Sequence, residues 1–489
     1  MKKKSLTKNA IMNGIRAVLN ILFPLITFPY ISRTLGVDYY GKYQFSNSIV
    51  NYFVLLAALG ISSYAIREGS QYKSDRKKMS QFASEVFSIN LFSTFIAFGV
   101  LMATIFFIPG LHEYRALLFI LSFTIIFNTI GMDWLLSIYE EFKYITIRTI
   151  IFQIISIILM FLFVHTPNDL PFYVFIVVLS SSGANILNYF KTRKNLKIHF
   201  TPHMNLKKHI TPILILFFSV LSQQIYINSD ITLLGIMNGD DAVGLYSAAA
   251  KIYTIAKQLV NAIIAVSIPR ISYYIGSKQK DSAEFMNKVL NVVMVFILPI
   301  SMGLFMISKP VVLIAAGKEY LSAYQPLAIL SISLLFATCA YFFANAILVN
   351  YKKEKIVLIV SIISSAMNIL LNFALLPVLG ICGAAITTLL SEILMCIICW
   401  LKAKQIVPFH LEFKNVICSI VGCLWIVVIC GLSTYLISQL YLKTFVAIVL
   451  SIGGYFCIHL LLKSNFYLEI IQPKIDMFLK KNARKRESL

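Results

Sequence analysis

The stretch that decides the fold occurs twice, as Gly41-Lys42-Tyr43 followed by Arg67 and as Gly244-Leu245-Tyr246 followed by Arg270. In both copies the arginine lies 26 positions after the glycine, and most residues between them are apolar. Such a run predicts a membrane-spanning helix that begins near Gly-x-Tyr and ends near Arg. Two copies about 200 residues apart predict two structurally equivalent halves, an arrangement typical of transporters.

The composition indicates an integral membrane protein. Of the 489 residues, 58% are hydrophobic and 13% are charged, and the mean hydropathy is +0.80. A soluble protein of this length carries about 25% charged residues. We therefore predict an all-α polytopic membrane protein with about 14 transmembrane helices, in two pseudo-symmetric six-helix lobes plus two extra C-terminal helices.

The apolar segments and basic loops divide the chain into four parts. Residues 1–195 are predicted to form an N-terminal lobe, 196–210 a cytoplasmic linker and 211–401 a C-terminal lobe, while 402–489 hold helices 13 and 14 and a basic cytoplasmic tail. Lys and Arg gather in the inner loops and tails, which predicts that both termini are cytoplasmic. This asymmetry accounts for the net charge of +22 without a nucleic-acid partner.

The sequence contains no pattern that predicts an enzyme, a cofactor or a metal site. There is no GxxxxGK[ST] phosphate-binding loop and no HExxH zinc motif. The adjacent carboxylates Glu140 and Glu141 fall in a short inner loop, where a solvated turn is expected. The CxxC pair Cys396 and Cys399 lies within a predicted helix, where small packing residues are expected. The first apolar run contains Pro24 and is predicted to be a retained helix rather than a signal peptide.

Ionisable residues inside the predicted spans are the candidate site residues, because each costs about 2.5–3.5 kcal/mol at the centre of a bilayer. Lys257 falls near the middle of helix 8, Lys251 about two turns closer to its outer end, and Arg16 about one turn into helix 1. We predict that they bind an anionic substrate in a cationic cavity, with Arg33 at its outer mouth. Asp230 is predicted to be an ion-coupling group or a charge partner, and a purely structural pair of Asp230 with Lys251 is equally open.

Helix-end residues form a second set of candidates. For the arginines among them and for Arg33, the alternative is a boundary anchor at the membrane surface, and Arg16 could also reach the interface in this way. The inner-end carboxylates could neutralise these arginines or lie in a water-filled vestibule. The secondary candidates are Arg67, Asp133, Arg148 and Arg270.

Several motifs resemble a known transporter family. The segment from Asn20 to Gly36, with Pro24, Pro29 and Arg33, resembles the start of Wzx-type polysaccharide flippases. Gly131-Met-Asp133-Trp134 resembles their helix 4–5 signature. The stretch from Gly380 to Thr387 is similar to a turn shared with multidrug extruders and lipid II flippases of the wider MOP/MATE-like superfamily. The first half departs from this pattern, because it has no counterpart of that turn.

The resemblance implies a two-lobed transporter in the bacterial inner membrane. Members of the family move undecaprenyl-diphosphate-linked oligosaccharide repeat units to the outer leaflet for O-antigen or capsule synthesis. The implied partners are the lipid-linked substrate, membrane lipids, and polymerase and chain-length proteins of the pathway. The alternatives that stay open are a cation-coupled multidrug extruder and, less favoured, a membrane polymerase or glycosyltransferase.

Overall fold

The computed structural model describes residues 6–202, 204–277 and 282–472. This part of the chain consists of helices and their connections and contains no strand. The helices as far as the linker are α1 (Leu6–Ala58), α2 (Ile61–Gly69), α3 (Arg76–Phe107), α4 (Arg115–Gly131), α5 (Asp133–Ile138), α6 (Phe142–Phe163), α7 (Leu170–Val178) and α8 (Ala184–Asn195). Those that follow are α9 (Leu206–Asn238), α10 (Asp240–Gly276), α11 (Ser282–Met306), α12 (Ser308–Ala315), α13 (Tyr324–Tyr341), α14 (Glu354–Lys404), α15 (Phe413–Leu436) and α16 (Leu440–Leu461).

The described chain is a multi-pass membrane protein, which confirms the predicted fold class. It contains 11 helical segments long and apolar enough to cross a membrane. Two of these are interrupted by a glycine, Gly36 within α1 and Gly380 within α14, so each joins two helices across a kink. The total of about 14 spans stays a prediction.

The helices form two compact units, the first ending at Ser247 and the second beginning at Ala248. The first unit contains α9 and the first turns of α10 in addition to α1–α8. The lobe boundaries at 195 and 211, which the apolar segments and basic loops predict, stay a prediction.

The two copies of the Gly-x-Tyr motif touch each other in the first unit. A Cβ on Gly41 would overlap the carbonyl oxygen of Asp240, and a Cβ on Gly244 would overlap the carbonyl oxygen of Val37. Val37 and Asp240 are themselves separated by the 203 positions that separate the glycines. The contact is therefore reciprocal, and it leaves no room for a side chain at either glycine.

The turn before each motif is repeated as well. Gly36 has φ 72° and ψ −177°, and Gly239, 203 positions later, has φ 83° and ψ −179°. Both glycines use a left-handed φ that L side chains rarely adopt. The repeat thus includes the turn that starts the helix and sets its direction.

Ion pairs connect the loop between α5 and α6 to the loop before α3 and to α8, at the predicted cytoplasmic end of the first unit. Lys73 Nζ lies 2.6 Å from Glu140 Oε1, and Lys191 Nζ lies 3.2 Å from Glu141 Oε2. The adjacent carboxylates expected in a solvated turn are therefore partners of two lysines. Asp75 caps α3 by accepting from the backbone N–H groups of its first turn, and the hydrogen bond from Lys78 lowers the pKa of Asp75.

The linker packs against α3 of the same unit. The Thr201 backbone N–H donates to Ser88 Oγ at 2.9 Å. His209, at the start of α9, is fully buried, with Nε2 2.7 Å from Glu85 Oε2 and Nδ1 2.5 Å from the Tyr64 hydroxyl. These hydrogen bonds give partners to the buried side chains of Glu85 and His209, whose burial without partners would destabilise the fold.

The second unit has an apolar core between α10, α11, α13 and α14, in which Val293, Phe342 and Cys399 are buried. Cys396 packs against the same core. Helix α16 contacts α11 through Tyr455, whose hydroxyl donates to the Val295 carbonyl at 2.7 Å.

The glycine contact can be tested by substitution. Gly41→Ala and Gly244→Ala should each destabilise the protein by about 1–3 kcal/mol, because the added methyl forces backbone to move in a close-packed site. The matched control is Gly99→Ala in α3, where a Cβ meets nothing within 4 Å. Thermal unfolding of the detergent-solubilised protein measures the effect. Equal melting temperatures for all three variants would contradict the packing described here.

Candidate functional site

A buried arginine and an open carboxylate form the polar centre of the first unit. Arg148 Nη2 donates to both oxygens of Asp133, at 2.7 and 2.9 Å, and Nη1 donates to Asn185 Oδ1 at 3.0 Å. The Arg148 side chain is 5% exposed and the Asp133 side chain 44%. The guanidinium therefore lies behind the carboxylate and holds it towards open space.

Local backbone breaks place these side chains. Met132 has a left-handed φ of 44°, which ends α4 and begins α5, so that Asp133 lies in a new first turn. A π-helical turn, Leu179–Gly183, precedes α8. Such turns are frequent at functional sites. From α8, Asn188 Nδ2 donates to Asp133, and Asn185 Nδ2 donates to Asn128 Oδ1 at 3.0 Å.

A cavity of about 240 Å³ opens beside this carboxylate, entirely within the first unit. Polar and apolar side chains from α1 to α5 and α8 surround it. Its lining consists of Val54, Ala57, Ala58, Ser62, Asn90, Ile125, Asn128, Thr129, Asp133, Trp134 and Asn185.

Arg16 belongs to the same region. It is half-buried on α1 and close enough to Arg148 for the two charges to interact. One turn earlier, the Met12 carbonyl accepts a hydrogen bond from Thr146 Oγ1 at 3.1 Å, which ties α6 to α1. Asp133 is bonded to Arg148, and Arg16 lies outside that pair.

Lys257 and Glu392 form an ion pair in the second unit. Lys257 Nζ lies 2.7 Å from Glu392 Oε1 and 5.5 Å from the centre of the Tyr253 ring. The lysine side chain is 27% exposed and the glutamate 4%. Glu392 thus neutralises the lysine, and the lysine side chain is the more exposed member of the pair.

Lys251 differs from Lys257, although both lie on α10. It is half-buried, and it has no ion pair among the described residues of its own unit. The two lysines therefore differ in their pairing within the second unit.

The other candidates have local partners. Arg33 is exposed, and its Nη1 donates to the Pro29 carbonyl at 2.7 Å. Arg67 Nε lies 3.3 Å from Glu68 Oε1, on the surface. Arg270 Nη2 donates to the Tyr274 hydroxyl at 2.8 Å, and its guanidinium lies 4.7 Å from the centre of the Phe285 ring.

Asp230 is buried and accepts a hydrogen bond from the Tyr246 hydroxyl at 2.7 Å. This tyrosine is the third residue of the second Gly-x-Tyr motif. Because Asp230 and Lys251 belong to different compact units, their pairing stays a prediction.

Comparison with solved structures shows the fold. The chain matches a structure titled "Lipid II flippase MurJ, inward closed conformation" with a TM-score of 0.73 and 18% identity, over 95% of this chain and 100% of that one. It matches an inward-facing multidrug resistance MATE family transporter of the MOP superfamily with a TM-score of 0.57 and 14% identity, over 79% of this chain and 97% of that one.

Sequence comparison gives related proteins of similar length. One from Escherichia coli K12, named "Putative O-antigen transporter", is 25% identical over 402 residues, 80% of this chain and 95% of that protein. The capsular polysaccharide biosynthesis protein CapF of Staphylococcus aureus is 24% identical over 393 residues, 77% of this chain and 93% of that protein.

Family models match two overlapping ranges. The MatE model matches residues 216–374. The model described as polysaccharide biosynthesis protein matches residues 6–275, more than half of the chain. The chain belongs to the polysaccharide biosynthesis protein family.

Proposed function

We propose that the protein is a flippase that moves undecaprenyl-diphosphate-linked oligosaccharide repeat units from the cytoplasmic to the outer leaflet by alternating access. The product would supply cell-surface polysaccharide synthesis. The family match, the relatives named for O-antigen transport and capsule synthesis, and the fold shared with a lipid II flippase support this assignment. We place the protein in the bacterial inner membrane with both termini cytoplasmic, as the distribution of basic loops indicates.

The observation that carries the proposal is that Lys251 has no ion pair among the described residues of its own unit. An ammonium group within a membrane-spanning helix is costly, and such residues usually mark substrate or ion pathways. Lys251 has no carboxylate partner in the described part of its unit. A diphosphate group supplies the anion that would compensate it.

The membrane potential favours this direction of transfer. A diphosphate carries about two negative charges, and each is worth about 2.3 kcal/mol per 100 mV, so an interior-negative potential contributes about 4–5 kcal/mol to outward movement. The remaining difficulty is removing water from the headgroup. Cationic side chains along the route replace part of that hydration.

The other candidates take supporting roles in the proposal. Arg16 and Lys257 would contact the diphosphate or acidic sugars, and Arg33 would lie at the outer mouth. Asp230 would couple transport to an ion or compensate a nearby charge. Asp133 and Arg148 would shape the first-unit cavity, while Arg67 and Arg270 remain secondary contacts at helix ends.

Lys251→Ala should reduce surface polysaccharide in a deletion strain complemented with the variant. Losing a charge-assisted hydrogen bond costs about 1.5–3 kcal/mol, which corresponds to a roughly tenfold to hundredfold loss of transport when the protein is limiting. Lys251→Arg should retain most activity because it keeps the charge. The control is Lys404→Ala, which removes an exposed lysine at the end of α14. Wild-type polymer from Lys251→Ala at equal membrane abundance would refute the role.

A double substitution can separate the structural role of the Lys257–Glu392 pair from a role of Lys257 in substrate binding. Lys257→Ala leaves a buried carboxylate uncompensated and should cost about 3–5 kcal/mol of stability. Lys257→Ala combined with Glu392→Gln removes both charges and should restore the melting temperature. If Lys257 contacts substrate, the double variant will still make little surface polymer. Full recovery of polymer in the stable double variant would show that the pair is only structural.

The MatE match over residues 216–374 favours one second candidate, a cation-coupled extruder of small molecules. Deleting the gene would then lower the minimal inhibitory concentration of ethidium, and the wild-type chain would restore it. We expect that deleting the gene will instead reduce surface polymer and leave the minimal inhibitory concentration of ethidium unchanged. Ethidium accumulation in cells whose surface polymer has been removed by another route serves as the control.

A further inference from the structure

The first-unit cavity beside Asp133 contains unused hydrogen-bonding groups of both kinds. Among the described residues, no partner is found for Asn128 Nδ2, the Ser62 hydroxyl or the Trp134 indole N–H, which are donors. Asn90 donates to the Ala57 carbonyl at 2.8 Å, which leaves its Oδ1 as an acceptor. The lining can therefore both donate and accept hydrogen bonds.

Asp133 adds a strong acceptor with a fixed position. Arg148 and Asn188 hold the carboxylate from behind, while 44% of its side chain remains exposed. A carboxylate has about four lone-pair directions, so acceptor capacity remains after these contacts. Hydroxyl groups of a ligand would bind here more strongly than at a neutral oxygen.

The polar groups that line the cavity disfavour binding of a cation or an anion. A cation needs several free oxygens, but Asn128 Oδ1 and Asn185 Oδ1 already accept N–H donors. Within the described residues no group of three or more His, Cys, Asp or Glu side chains that could hold a metal ion is found. An anion would meet the exposed carboxylate of Asp133. A neutral ligand that carries several hydroxyl groups fits both constraints.

The volume of the cavity limits the size of the ligand it can bind. Its volume of about 240 Å³ lies below the roughly 300–1,000 Å³ typical of pockets for drug-sized ligands. One sugar ring suits this space, and the partly exposed lining residues Val54 and Ala58 supply apolar surface for its C–H faces. We propose that the cavity binds one neutral monosaccharide unit of the transported glycan. The inference rests on the proposed function, since that function names the glycan.

Direct binding to the purified full-length protein tests the site without transport. Saturation-transfer NMR in lipid nanodiscs would be recorded with methyl glycosides of glucose, galactose, mannose, rhamnose and N-acetylglucosamine. We expect at least one of these to bind. Asn128→Ala should weaken its binding about two- to tenfold, as for the loss of one neutral hydrogen bond. Asn168→Ala, an exposed asparagine outside the cavity, is the matched control and should bind as the wild type does.

A second readout uses the cavity tryptophan. The chain has three tryptophans, so Trp400→Phe with Trp425→Phe leaves Trp134 alone to report sugar binding by fluorescence. No binding of any glycoside to folded protein, or equal binding to Asn128→Ala and wild type, would overturn the site. Binding of glucuronate but of no neutral sugar, or a response to sodium alone, would also overturn it. These failures would leave the Lys251 result on surface polymer unaffected, so the flippase proposal is judged separately.

Discussion

The first unit depends on a backbone contact that only glycine permits. The helices that begin at Val37 and Asp240 meet at their first turns, with Gly41 against one carbonyl and Gly244 against the other. Lipid surrounds a membrane protein with groups as apolar as its own core, so helix association relies on close van der Waals packing and favours small residues. The same offset of 203 positions relates both sides of the contact. The repeat therefore stabilises the fold through a reciprocal interface between its own copies.

Each unit pairs a cation within its helices with a carboxylate. Arg148 and Lys257 each lie 2.7 Å from a carboxylate oxygen, of Asp133 and Glu392 respectively. A paired cation in a membrane helix avoids most of the penalty that an isolated one incurs. Lys251 lacks such a pair in its unit, and this contrast distinguishes it more sharply than depth in the helix does. The depth of a charged residue in the membrane indicates how much its burial costs. Its ion-pair partner shows whether a neighbouring residue offsets that cost.

Much of the architecture could be predicted from the sequence, but the pairing of its charges could not. Apolar runs and the repeated Gly-x-Tyr motif identify helices and halves because membrane thickness and chain geometry fix their lengths. The partner of Lys257 lies 135 positions away, at Glu392. Pairing over that distance depends on how each helix is rotated about its axis. A lipid-facing side and a core-facing side are both apolar here, so the pattern contains little information about rotation. The sequence pattern does not identify Asn185 either, because the direction of its side chain depends on the π-helical turn that precedes α8.

The proposed substrate has two chemically different parts, and they require different surroundings. Diphosphate needs cationic groups, while sugar hydroxyls need fixed donors and acceptors of moderate strength. Asp133 would repel the first and bind the second, so one surface cannot serve both well. The first-unit cavity has the mixed hydrogen-bonding groups, and α10 carries Lys251, which has no ion pair among the described residues of its own unit. Separate sites for sugar and phosphate would let the glycan vary in structure while recognition of the shared diphosphate stays the same.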